Sequence, residues 1–334
     1  MKKSILVAAI GAAVVAAPTF AADKLVLSGE MDYVFVNINS GATGSSAYNE
    51  IKDGGKFVIS GTEDLGNGLG GIFLAETGLG VGYGDGKAYV GLNTPSAGKF
   101  IFGEEAPATD WLGKSFDKGT FFSSTSGQNA GHDGDQGIYW RSPNWSGFQV
   151  ALNWTPNDSY TGTTGESAET DIGVGFKYAA KNWGIGLAYD KEEQSSTNSE
   201  DYETYTNFDA YYKISSYLIG LTYGQVKDNS GPSTYNSNDW AGLGFQGIWG
   251  PHELSVNYGQ RWNYKVNGTK TDGAKGTNFA VDYAYALSSR TRIGGGFASV
   301  KDKNGGGNYA PENGTAPGTD DTSRALGVGV KHTF

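Results

Sequence analysis

Residues 98–141 read GKFIFGEEAPATDWLGKSFDKGTFFSSTSGQNAGHDGDQGIYWR. Phe100 and Phe102 alternate with Lys99 and Ile101 at one end, and Ile138 and Trp140 alternate with Tyr139 and Arg141 at the other. A period of two is the mark of a β-strand with two unlike faces. Between these strands the rhythm stops for about thirty residues, well past the usual connection length. That interval, Glu104–Asp135, is acidic and aromatic: Glu104, Glu105, Asp110, Trp111, Asp117, Phe121, Phe122, Asp133 and Asp135. So long a connection inside a compact fold is usually functional or disordered.

The alternation extends outward through the chain. Leu25, Leu27, Met31, Tyr33 and Phe35 share one face of the first segment; Lys24, Ser28, Glu30 and Asp32 share the other. Ile172, Val174, Phe176 and Tyr178 alternate with Asp171, Gly173, Gly175 and Lys177. About sixteen such segments begin near Lys24, Gly55, Leu69, Lys87, Gly98, Gln136, Gly147, Ala168, Asn182, Tyr202, Tyr217, Asn238, His252, Thr277, Thr291 and Ser323. Each is roughly the 9–11 residues that a tilted strand needs to cross a bilayer. In the third, Ile72 and Leu74 compete with Leu69 and Phe73 for the apolar face.

Connections alternate short and long. Leu65–Gly68, Pro95-Ser96, Pro143-Asn144, Ser215-Ser216, Gly250-Pro251 and Ser288-Ser289 are short turns. The stretches Ile38–Asp53, Glu104–Asp135, Thr155–Ser167, Glu192–Asp201, Lys227–Ser237, Val266–Gly276 and Asp302–Thr322 are long. Antiparallel strands with tight turns on one side and long loops on the other describe a transmembrane β-barrel. Closure removes every unpaired sheet edge from lipid, so the last strand is expected to pair with the first. Its outward set is Leu326, Val328, Val330, His332 and Phe334. Trp140, Trp145, Trp154, Trp183, Trp240, Trp249 and Trp262 fall near segment ends, where membrane interfaces favour aromatic rings.

Residues 1–21 read as an export signal: Lys2 and Lys3, then apolar Ile5–Ala17, then small residues at Thr19 and Ala21 for cleavage. The mature domain is expected to span 22–334. The chain has 25 basic and 35 acidic residues. Without Lys2 and Lys3, 23 oppose 35, a net charge near −12. An acidic chain lacks the basic face that nucleic acid demands. There are no cysteines, so closure rests on hydrogen bonds and packing.

Several runs carry a family resemblance. Gly61-Thr62-Glu63-Asp64-Leu65-Gly66-Asn67-Gly68-Leu69 resembles a turn of the trimeric general porins of Gram-negative outer membranes. Ala88–Leu92 with Gly98–Gly103 is similar to the hairpin that leads into their inward-folded third loop. Val281–Thr291 resembles their penultimate hairpin, and Leu326–Phe334 their C-terminal strand. The resemblance implies an all-β, sixteen-stranded barrel with short periplasmic turns and long outer loops, one of them folded into the lumen. It also implies a homotrimer in outer-membrane lipid and lipopolysaccharide, passive diffusion of small hydrophilic solutes and ions, and a terminal residue, Phe334, read by the assembly machinery. Where many relatives have a basic residue after the hairpin glycine, this chain has Glu104 and Glu105.

Channel chemistry is electrostatic, because charged rings select ions by sign. The acidic candidates are Glu104, Glu105, Asp110, Asp117, Asp133 and Asp135 on the loop. The basic candidates on the lumen wall are Lys56, Lys87, Lys99 and Arg141, with Lys24 a further one. This set, with the acid excess, leads us to expect a weak cation preference. No catalytic function is expected: the three histidines, His132, His252 and His332, fit no hydrolase arrangement. No metal or cofactor is expected: His132–Asp135 reads as solvated loop, with a calcium site on its oxygen ligands the alternative. Two alternatives remain: a substrate-specific channel using inward Tyr139, Tyr205 and Tyr211 as a sugar track, and an adhesin or receptor barrel acting through its outer loops.

Overall fold

The computed structural model describes residues 24–41, 46–79, 86–113, 115–122, 136–156, 170–193, 202–229, 236–305 and 315–334. Sixteen antiparallel strands form one closed sheet. They are β1 Lys24–Asn39, β2 Tyr48–Gly66, β3 Leu69–Gly78, β4 Ala88–Thr94, β5 Gly98–Glu104, β6 Gln136–Arg141, β7 Phe148–Pro156, β8 Thr170–Ala179, β9 Trp183–Glu193, β10 Tyr202–Ile214, β11 Tyr217–Asn229, β12 Asn236–Trp249, β13 His252–Val266, β14 Lys275–Ala286, β15 Thr291–Lys303 and β16 Thr322–Thr333. One short helix, α1 Ala108–Leu112, follows β5.

Closure is as expected: β1 and β16 pair from Glu30 opposite Thr333 to Asn39 opposite Arg324. Gly29 and Phe334 extend the ladder with reciprocal backbone bonds of 3.1 and 3.0 Å. The outer face carries Leu27, Ile51, Val90, Leu187, Leu326 and Val328, all more than half exposed. In water such a surface would be an association patch; around a barrel it is the lipid belt.

The short turns are set by local chemistry. In β2–β3, Asp64 accepts the Gly66 N–H at 2.8 Å, and Asn67 adopts φ 55°. Between β14 and β15, the Ser288 hydroxyl accepts the N–H groups of Arg290 (3.1 Å) and Thr291 (3.0 Å).

Three expectations are corrected. β2 starts at Tyr48 rather than near Gly55, because its pairing with β1 continues to Ile38 opposite Tyr48. This extension carries the Lys52–Glu50 ion pair at 2.8 Å, so charge marks the end of the apolar belt but not of the ladder. The stretch Val266–Gly276 is not an open loop. Asn267 (φ 51°) and Gly268 (φ 72°) make a tight turn, and Val266 and Lys265 pair with Thr269 and Lys270. Trp240 faces inward and is fully buried rather than sitting at a membrane interface. In β3, Phe73 lies between outward Gly61 and Val90, which turns Ile72 and Leu74 inward.

Candidate functional site

The interval after β5 runs along the inner wall, and its described part is fastened in three places. At its root, Glu105 accepts from Lys87 on the wall at 3.0 Å. Arg141 on β6 donates to the carbonyl oxygens of Ala106 and, at 3.2 Å, of Leu152. Its guanidinium also lies 5.7 Å from the Trp111 ring centre and 5.5 Å from that of Tyr139. The loop covers Arg141, which is 8% exposed.

The second fastening holds α1. Pro107 precedes the helix in an extended conformation, and Gly113 ends it at φ 78°. Its first N–H groups have no partner within so short a helix, and the wall supplies them. Asp190 on β9 accepts from Thr109 at 2.7 Å and Ala108 at 3.3 Å. Asn153 on β7 also accepts from Ala108, at 2.8 Å. Lys177 on β8 places its ammonium 3.8 Å from the Trp111 ring centre, a cation–π contact.

The third fastening is distributed further along. Asp209 on β10 accepts from the Ser115 N–H at 2.7 Å and from its hydroxyl. Asp282 on β14 accepts three successive N–H groups, from Thr120 (2.9 Å), Phe121 (3.1 Å) and Phe122 (3.0 Å). A buried carboxylate is costly unless hydrogen-bonded, and bonds of this charge-assisted kind are the strong ones.

Apolar packing completes the seat. Phe116 packs on Trp240 with ring centres 6.0 Å apart, and Tyr205 joins them. Phe121 and Phe122 rest on Val34 and Val36 of β1 and on Ala280, Ala284, Ala298 and Ala325 of β14–β16. The wall beneath is built from residues without bulk. A Cβ at Gly244 would overlap the Phe116 carbonyl, and one at Gly220 that of Ser115. Small inward residues on β7–β16 therefore form a furrow in which the loop lies.

Glu104 ends β5 opposite Gln136, and Asp110 is exposed on α1. Asp117 accepts from Asn257 at 3.2 Å. Asp133 and Asp135 lie outside the described residues. Lys56 faces the lumen in an ion pair with Glu76 at 3.1 Å. Lys99 is inward, exposed, and opposite Arg141 across β5–β6. A cavity of about 430 Å³ between loop root and turns is lined by Tyr89, Lys99, Glu105, Trp111 and Arg141. The structure thus brings Lys87, Lys99, Glu105 and Arg141 together and leaves Lys56 with a wall carboxylate. Glu192 belongs to β9, not to a loop, and lies opposite Asp171 and Glu203. Tyr139 and Tyr205 are buried, at 1% and 7% exposure, so they present no track to a passing sugar.

Sequence reasoning missed Asp190, Asp209 and Asp282, and also Lys177. The readable signal was a carboxylate at a lumen position flanked by inward glycine or alanine, as in Ala188–Asp190 or Ala280–Asp282–Ala284.

A closed barrel with an apolar outside, a polar inside and a loop seated within it is a transmembrane channel scaffold. The chain belongs to the Gram-negative porin family, whose model matches residues 7–305. An outer membrane porin protein of Bordetella pertussis is 24% identical over 336 residues, covering 86% of this chain and 84% of that protein. The anion-selective porin from Comamonas acidovorans has the same fold at a TM-score of 0.77, with 19% identity over 93% of this chain and 99% of that one. The outer membrane protein OmpT of Vibrio cholerae, in its trimer form, gives 0.70 and 13% over 93% and 99%. This chain is accordingly an outer-membrane porin, and porins are channels rather than enzymes.

Proposed function

We propose that residues 22–334 form a water-filled channel for passive diffusion of small hydrophilic solutes and ions, and that residues 104–135 narrow it. The loop's fastening to Asp190, Asp209 and Asp282 inside a closed barrel carries this reading. Residues 1–21 serve as a cleaved export signal in the same reading.

The finer proposal is a weak cation preference. The loop holds Glu104 and Glu105 at its root and Asp110 and Asp117 further along, and ordinary salt screens charges beyond about 8–10 Å, so charges near the narrowing dominate. Lys99, Lys177 and Arg141 around Trp111 act against this preference and keep it small. Glu104→Gln with Glu105→Gln removes two carboxylates and leaves Lys87 without its partner. The zero-current potential in a salt gradient is expected to move toward anions. Glu193→Gln, at the outer end of β9 beside Lys191, is expected to move it much less. An anion-selective wild type, or equal shifts in the two variants, would overturn the assignment.

A homotrimer is proposed on the family likeness and on Ala88, which leaves room on the lipid face of β4. Gly29, another small residue on the outward face, offers no such room, because the ring of Phe334 already occupies the space beside it. Light scattering in mild detergent is expected to give three chains per particle; a monomeric mass would refute this.

A further inference from the structure

Three cations stand around the root of the internal loop: Lys99, Arg141 and Lys177. Asn93, Lys99 and Arg141 lie side by side across β4–β6, with Lys99 directly opposite Arg141. Like charges so placed on a sheet are destabilising. The row continues through Ala151 to Gly175, where the wall has no bulk. The Trp111 ring fills that space, 3.2 Å from where a Cβ at Gly175 would stand, and Lys177 reaches the same ring.

None of the three cations makes an ion pair among the described residues. Arg141 is nearly buried, and its described hydrogen bonds all go to neutral carbonyl oxygens, those of Trp140, Leu152 and Ala106. The carboxylates whose field reaches it, Glu105 and Asp190, are committed elsewhere. Glu105 accepts from Lys87 and from the Ala106 N–H; Asp190 holds the start of α1. Buried charges are normally paired with an opposite charge, so this guanidinium calls for an anion.

Lys99 and Arg141 line the cavity of about 430 Å³ between the loop root and the β4–β5 and β6–β7 turns. The cavity lies inside the barrel, so its occupant is a solute rather than another chain. Tyr89, Trp111, Pro95 and Pro143 give it an apolar side, which an inorganic anion would leave facing water. Pockets of this size, apolar with a few convergent polar groups, suit small molecules.

We propose that this cavity is a binding subsite for small aromatic carboxylates, with the carboxylate between Lys99 and Arg141 and the ring against Trp111 and Tyr89. The proposal rests on the channel reading above and adds a solute class to it. The site holds one solute at a time, and the loop carboxylates still set the sign preference for small ions.

The test is chloride current through the intact protein in planar bilayers, with benzoate, cyclohexanecarboxylate or benzamide added in turn. Benzoate is expected to lower the current in a saturable way. Cyclohexanecarboxylate keeps the charge without the aromatic ring and is expected to need at least about threefold more for half the effect. Benzamide keeps the ring without the charge and is expected to need at least about tenfold more. Lys99→Gln is expected to weaken benzoate about tenfold. Lys331→Gln removes a lumen lysine already paired with Glu30 and is expected to leave the benzoate effect unchanged. Trp111→Leu is expected to erase the difference between the two carboxylates. Absence of saturation, or equal potency of benzoate and either analogue, overturns the proposal. So does a Lys99→Gln variant that responds like the wild type, or a Trp111→Leu variant that keeps the ring preference. A protein that passes no chloride at all refutes the channel itself, whereas one that conducts steadily and ignores benzoate refutes only this site.

Discussion

Replacing Asp282 with alanine is expected to free the far end of the internal loop while the barrel stays folded. One carboxylate accepts the N–H groups of Thr120, Phe121 and Phe122, and Phe122 is fully buried. A buried donor left without an acceptor costs about 1–3 kcal/mol. Three such losses exceed what the packing of Phe121 and Phe122 alone is expected to offset, so the segment should leave its seat for part of the time. Single-channel records should change from steady current to frequent partial closures. Amide exchange at 120–122 should speed up, while that of β14 itself should not. Asp282→Asn keeps an acceptor oxygen and is expected to be milder. Steady current and unchanged exchange in Asp282→Ala would show that the loop is held by other means.

Phe334→Asp is expected to lower the amount of protein in the outer membrane about tenfold or more, with normal conductance in whatever assembles. Phe334 is 42% exposed on the lipid face, and its ring covers Gly29. A carboxylate near the barrel rim costs little in lipid, less than the roughly 0–1 kcal/mol of a basic residue there. A large fall in abundance would therefore report failed recognition during assembly rather than lost stability. Phe334→Tyr retains an aromatic outward terminus and should assemble. Normal outer-membrane levels of Phe334→Asp would remove the terminal residue from its assigned role.

The barrel was legible because the period of two is imposed on every strand by lipid outside and water inside. β3, β5, β6, β10, β11, β13 and β15 begin at the residues read from sequence, and β1 and β16 close as expected. The start of β2 was hidden because charge balance at Glu50 and Lys52 looks like a loop while the hydrogen-bond ladder ignores it. Trp240 was misplaced because a tryptophan near a strand end suits either interface or interior, and only its inward parity decides. The loop was visible as an interruption, but its seat was not. Asp190, Asp209 and Asp282 are far apart in sequence and converge only when the sheet closes. The same holds for Arg141: strand parity turns it toward the lumen, but only the closed fold shows that it lies under the loop, bonded to the Ala106 carbonyl.

The seat of Phe121 and Phe122 has a consequence for the order of folding. Their support comes from Val34 and Val36 near the start of the mature chain and from Ala280, Ala298 and Ala325 near its end. That surface does not exist until the two termini have met, and contacts so distant in sequence form late. The barrel should therefore close first, with its bore unobstructed, and the loop should dock afterwards as the final step. A chain arrested just after closure would conduct more than the finished protein, so a leak that decays during refolding into vesicles would be the kinetic trace of that docking.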